Sequence, residues 1–199
     1  GHDDRVCAYA ELEALFSLDM PEKTAVCILA DKEEIGSVGI SGMQSHYFEH
    51  FMEGLCDAQG VKLSDCFANS FCLSADVSNA FDPNWPETCD KRNNSQLNYG
   101  VAICKYTGSR GKGGASDASA EAMGHVRSTL DKAGVIWQIA TLGKVDQGGG
   151  GTVAAYMANR NIVTVDAGVP VLSMHAPLEL VSKLDCYETM LACKAIYLA

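Results

Sequence analysis

Five runs rich in β-branched and apolar residues recur along the chain, at 24–30, 69–75, 101–106, 134–140 and 161–165, and each predicts a strand. Between them the apolar positions take up helical spacing. Residues 6–16 bring Val6, Tyr9, Ala10 and Leu12 toward one side, and 45–55 follow the polar loop after Ile40. Residues 116–133 open with Ser116 and Asp117, 150–159 follow a glycine run, and 178–198 close the sequence. Polar starters ahead of apolar periodicity predict helices in these segments. Strands alternating with helices argue for an α/β fold, a twisted, mixed but largely parallel sheet with helices on both faces, three layers in all. No repeat with a period of 20–50 residues is present. The glycine-rich stretches at 108–114 and 148–151 adjoin structured runs instead of separating them, so 1–199 reads as a single domain.

Composition narrows the classes. A chain of 199 residues that is 47% hydrophobic can bury one substantial core, but not two. Fifteen basic residues against twenty-five acidic ones leave a formal charge of -10, which repels phosphate backbones and argues against a nucleic-acid partner. The longest apolar runs, such as 24–30, are too short to cross a bilayer, and no secretory leader pattern opens the sequence, so no membrane partner is expected. Nine cysteines without a CxxC pair do not form a structural zinc knuckle. Cys27, Cys72 and Cys104 sit in apolar runs as small hydrophobes, and reduced thiols in a cytoplasmic chain are the expectation. The start at Gly1-His2-Asp3-Asp4, without an initiator Met, suggests a fragment or processed product.

Chemistry in α/β folds gathers at the carboxyl ends of strands. After the first predicted strand comes Asp31-Lys32-Glu33-Glu34, and after the second comes Asp76. Gly143-Lys144-Val145-Asp146 and four glycines follow the fourth, and Asp166 then His175 follow the last. Carboxylates and a histidine at successive strand ends make sense if a cation collects them. Asp3, Glu34, Asp76 and His175 form such a set of hard oxygen and imidazole donors, suited to a catalytic zinc site with an open position. One carboxylate bridging two ions lets the pair clamp a water and lower its pKa. In Glu33-Glu34, one side chain can bind metal while its neighbour takes the water's proton as general base. Taken singly, each piece has an ordinary explanation: a solvated Glu pair, an Asp capping a turn, a loop histidine.

Rival motifs carry less. His46-Tyr47-Phe48-Glu49-His50 fits the HxxEH pattern, whose histidines lie one helical turn apart and can share a zinc. Phe48, Phe51, Met52 and Leu55 instead predict an apolar packing helix with the His pair on its rim. No GxSxG elbow and no Walker loop occurs.

Six segments in order resemble motifs of the M18 aspartyl aminopeptidases, within the co-catalytic zinc exopeptidases. They are Asp3-Asp4-Arg5-Val6-Cys7, Asp31-Lys32-Glu33-Glu34-Ile35-Gly36-Ser37, Ser74-Ala75-Asp76, Gly108-Ser109-Arg110-Gly111-Lys112, Gly148-Gly149-Gly150-Gly151-Thr152 and Ser173-Met174-His175-Ala176-Pro177. The resemblance implies that Asp3 bridges both metals, Glu33 is the general base, Glu34 ligates one metal, Asp76 ligates the other, and His175 is the second metal's imidazole. It draws the substrate pocket from the Lys112 region and from Gly149, Gly150 and Thr152. Small residues there admit close approach of a peptide to backbone N–H groups.

The implied cofactors are two divalent ions, zinc first with manganese or cobalt as alternatives. The implied partners are peptide substrates and further copies in a homo-oligomer. The implied reaction is hydrolysis of an N-terminal residue, acidic by the family's preference. The family also takes a His ligand from a segment well before Asp3 and inserts a dimerisation domain there. Both are missing here, so one metal position is expected to be depleted and the chain alone inactive. Removal of acyl groups from amino acids, or service as a non-catalytic assembly subunit, are the competing expectations.

Overall fold

The computed structural model describes residues 1–110, 113–114 and 116–199. In chain order the elements are α1 (His2–Phe16), α2 (Tyr47–Gln59), α3 (Leu63–Ala68), β1 (Phe71–Ala75), β2 (Ser78–Asn79), β3 (Val101–Cys104), α4 (Ala120–Ala133), β4 (Trp137–Ala140), α5 (Ala154–Ala158), β5 (Val163–Gly168), β6 (Pro170–Leu172), β7 (Leu180–Val181) and α6 (Lys183–Tyr197). Four strands form the main sheet in the order β1-β5-β3-β4. β1 runs parallel to β5 and β3 parallel to β4, while the central β3–β5 pair is antiparallel. A smaller sheet, β2-β6-β7, continues from the ends of β1 and β5. The chain thus folds as a mixed α/β structure with a mostly parallel sheet between helices, as the alternation predicts.

Strand alternation assigns the two faces. Val101, Ile103, Val165 and Ala167 point to one side, where Ala122, Met123, Val126 and Leu130 of α4 and Ala192 of α6 close over them. Cys72 points to the other, toward Phe48 and Met52 of α2, Phe67 of α3 and Met157 of α5. Burying each such side chain stabilises the fold by roughly 1.5–3 kcal/mol. α1 buries only Cys7, Ala10 and Ala14, and this small-residue stripe lets it lie close against α6. Leu191 and Ile196 of α6 pack on the core, whereas Leu198 is exposed.

Capping fixes helix ends. The Ser119 hydroxyl accepts from Ala122 N–H at the start of α4, and Ser182 accepts from Leu184 and Asp185 N–H at the start of α6. Residues 24–30 depart from expectation. They run extended, but none joins a ladder; the neighbouring Asp31 makes a single bridge to Gly42. This run and β1 both line a cavity of about 810 Å³. Among the described residues no helix is long and apolar enough to cross a membrane.

Candidate metal centre

Four separate segments supply the site. Asp3 and Asp4 open α1 with non-helical backbone angles, which turns their side chains away from the helix run. Glu33 and Glu34 begin a 3-10 turn flanked by left-handed residues, Lys32 before it and Gly36 after it. That loop is held from several sides: Ser37 N–H donates to Lys32 O at 2.8 Å, and Gln44 Nε2 donates to Gly36 O at 2.7 Å. Asp76 follows β1, and its N–H donates to Ala167 O at 3.3 Å. Gly168, next on β5, lies so close that a Cβ there would stand 1.8 Å from the Asp76 carbonyl oxygen. His175 sits in the turn after β6 with a left-handed φ of 65°. Because β1 and β5 run parallel, their carboxyl ends share one edge of the sheet, and the segments after them meet there. Cys7, Val77, Val169 and Val171 form an apolar cluster in these same segments.

Asp3, Glu34, Asp76 and His175, widely spaced in sequence, come together. His175 Nε2 is 2.8 Å from Asp3 Oδ2 and 3.1 Å from Glu34 Oε1. Asp3, Asp4 and Asp76 form a second group, each offering a ligand atom within 4.8 Å of the others'. Asp3 belongs to both groups, which is the position a bridging carboxylate must occupy. The partnership of His175 differs from the one the resemblance implies: it stands with Glu34, not on the side of Asp76.

The electrostatics are those of crowded anions. Burial, then Asp4, Asp3, Glu33 and Asp166, push the Asp76 carboxyl up to about 9. Asp4 rises to about 7, chiefly from burial and in spite of the N–H that Val77 donates to it. Glu33 is raised by burial and by Glu34 and Asp3, and Asp3 by burial and Glu34. Half-buried carboxylates that repel one another, beside an exposed imidazole, are a donor set that fits a hard or borderline divalent cation.

Sequence reasoning missed two carboxylates. Asp4 stood in a matching segment without a role. Glu179, four residues after His175, accepts hydrogen bonds from the backbone N–H groups of both Asp3 and His175. Burial works against its charge, but those N–H groups and that of His2 hold its carboxyl well below the usual range. A signal for Glu179 existed only in its closeness to His175.

The pocket residues stand differently. Lys112 lies outside the described residues. Gly149 and Gly150 belong to a loop stitched to the segment that follows β3, where Gly108 N–H donates to Gly150 O at 2.7 Å and Arg110 N–H to Gly148 O at 3.0 Å. Thr152 is buried, and its hydroxyl donates to Asp166 Oδ1 at 2.6 Å.

His46 and His50 do lie on one face of α2, ring centroids 6.4 Å apart. Glu49 between them is engaged by His46 Nδ1 at 2.6 Å and Arg160 Nε at 2.8 Å, and the helix buries Phe48, Met52 and Cys56. Among the described residues this trio is not a metal-holding cluster.

Fold and site together define an α/β domain that gathers carboxylates and one imidazole at the carboxyl edge of its sheet. Residues 1–197 match the family model for the aminopeptidase I zinc metalloproteases (M18), and the chain belongs to that family. It is 50% identical over 193 residues to a probable M18 family aminopeptidase 1 of Clostridium acetobutylicum, across 95% of this chain and 42% of that protein. The crystal structure of an M18 aminopeptidase from Thermotoga maritima superposes with a TM-score of 0.94 at 44% identity, covering 98% of this chain and 44% of that one. The mApe1 dodecamer of S. cerevisiae gives a TM-score of 0.75 at 25% identity, over 98% and 45% of the two chains. This chain therefore spans less than half the length of these relatives.

Proposed function

We propose that this chain carries the metal-gathering and proton-transferring part of an aminopeptidase that hydrolyses the N-terminal residue of peptides. The observation that carries the reading is the convergence of Asp3, Glu34 and His175, with His175 Nε2 2.8 Å from Asp3 and 3.1 Å from Glu34, and with Asp3 shared by the Asp4–Asp76 group. Membership of a zinc metalloprotease family supports it.

Asp3 would bridge two divalent ions, Glu34 and His175 would complete one position, and Asp76 would serve the other. Zinc follows the family's description, with manganese and cobalt compatible with the same donors. When bound, such a pair supplies Lewis-acid polarisation of the scissile carbonyl and makes a water acidic. Glu33 would accept the proton of a water held beside it and donate it to the leaving amine, a role helped by the upward shift that burial and Glu34 impose on its carboxyl. Lys112, Gly149, Gly150 and Thr152 would line the pocket for the peptide, with glycine N–H groups close to its backbone.

Among the described residues the Asp3–Asp4–Asp76 group contains no imidazole, so that position is the weaker one in this chain. By itself the chain should take up metal weakly or singly and turn over no substrate. A reducing compartment such as the cytoplasm suits its nine free cysteines. Assembly into a homo-oligomer accords with the dodecamer of the yeast relative and with exposed Leu184, Tyr187 and Leu198.

The test compares aminoacyl-anilide and N-acyl amino acid hydrolysis by the full-length polypeptide, native and Glu33→Gln. Loss of about 10²–10⁴-fold in anilide hydrolysis with metal content unchanged is expected, as for removal of a general base. Anilide hydrolysis undiminished in the variant, or turnover confined to acyl substrates, would overturn the reading.

A further inference from the structure

The Glu179 carboxylate is buried, its side chain 2% exposed, in the segment just before β7. Its Oε2 accepts from the backbone N–H of His2 and, at 3.1 Å, from that of Asp3, and it lies 3.0 Å from the amine of Gly1. Its Oε1 accepts from the N–H of His175 at 2.8 Å. One carboxylate thus joins two segments separated by more than 170 residues, and each segment bears a side chain of the Asp3–Glu34–His175 group. Neither segment holds its shape through regular secondary structure. Asp3 departs from helical angles, and Ser173 and His175 both adopt left-handed φ, at 59° and 65°. A non-glycine residue persists in that conformation only where its surroundings impose it, and the bond to Glu179 is one such constraint.

We propose that Glu179 is a positioning residue of the metal centre, fixing the separation of the Asp3 and His175 donor atoms by gripping their main chains. The inference rests on the reading that Asp3 and His175 hold metal. Outer groups that orient metal ligands typically contribute about 10–100-fold to metal affinity. Replacement by Gln preserves shape but leaves one oxygen, and its NH2 group would face N–H donors. One of the two segments is then released. Full truncation would instead leave several buried N–H groups unpaired and endanger the fold.

Zinc affinity and the visible spectrum of the cobalt(II)-loaded protein report on this geometry without reference to turnover. In the full-length polypeptide, Glu179→Gln is expected to weaken zinc binding by about 10–100-fold and to change the cobalt d–d bands. Asp185→Asn serves as the control. Asp185 is equally buried and also accepts two backbone N–H bonds, from Asn98 and Gly100, away from the site. It should lower the melting temperature and leave affinity and spectrum as they were. Native affinity and a native spectrum in Glu179→Gln would overturn the proposal. Should that variant not fold, Glu179→Asp keeps the charge but shortens the reach, and a native spectrum there overturns it equally. A native protein that binds no cobalt or zinc would remove the metal-site reading itself, and this inference with it.

Discussion

At the scale of single residues, the convergence of Asp3, Glu34, Asp76 and His175 was legible because each follows a strand or sits in a distinctive motif. Asp3, Glu34, Asp76 and His175 are all found at one site, and Asp3 does stand in both ligand groups. The partnership of His175 with Glu34, and the parts played by Asp4 and Glu179, were not legible. They depend on how the two ends of the chain approach each other, and residue spacing does not encode that distance. Asp4 matters through Val77, whose N–H it accepts at 3.2 Å, and Glu179 through two N–H groups at opposite ends of the sequence. Gly168 is a third such case. It reads as an ordinary strand end, yet its missing side chain is what allows β5 to approach the Asp76 carbonyl. The obstructing atom is backbone and cannot swing aside. Gly168→Ala is expected to destabilise the fold by roughly 1–3 kcal/mol or more and to displace Asp76. Denaturant unfolding together with metal titration checks it, and a variant as stable as the native chain would show that the main chain there yields freely.

At the scale of elements, the strongest periodicities gave the right kinds and approximate places. The predicted strands at 69–75, 101–106, 134–140 and 161–165 correspond to β1, β3, β4 and β5. Their ends moved for local reasons. The helix expected from Ser116 begins at Ala120 because the backbone of 116–118 is engaged elsewhere: Thr107 N–H donates to Ser116 O, Ala118 N–H donates to Lys105 O, and Ser119 provides the cap. The 24–30 run has the composition of a strand but no partner, since pairing is a property of two segments and composition belongs to one. β2, β6 and β7 are two or three residues long, too short to leave a periodic trace. The antiparallel β3–β5 pair was likewise invisible, because the direction of a neighbouring strand is set by connections and not by alternation.

At the scale of the whole molecule, the net charge of -10 takes on a local meaning. Seven of the twenty-five acidic residues, Asp3, Asp4, Glu11, Glu22, Glu33, Glu34 and Asp76, line one cavity, and burial favours the protonated form of several of them. Besides Asp4 and Asp76, burial followed by the charge of Asp4 lifts Glu11 to about 8, and burial opposed by the Thr152 hydroxyl leaves Asp166 at about 6. These folded-state values lie above the ordinary carboxylate values of 3.8 and 4.5, so the folded chain binds more protons than the unfolded chain through that interval. Stability of the metal-free protein should accordingly be highest at mildly acidic pH and fall as pH rises toward about 8–9. Saturating zinc should flatten the decline by supplying the positive charge that the protons had supplied. Unfolding midpoints at pH 5 and pH 8, with chelator and with zinc, measure both effects. A chelated protein more stable at the higher pH would mean that these carboxylates are solvated and ionised in the fold.

Asp3, Glu34 and His175 are proposed to ligate one divalent ion beside Glu33, with Asp3 reaching toward a second at Asp76. Anomalous diffraction at the zinc edge from crystals of the zinc-loaded protein tests it most directly. The predicted result is a peak about 2.0–2.2 Å from the donor atoms of Asp3, Glu34 and His175, weaker or absent on the Asp76 side in this 199-residue chain. Zinc at His46 and His50 instead, or no ordered zinc near Asp3, would contradict it.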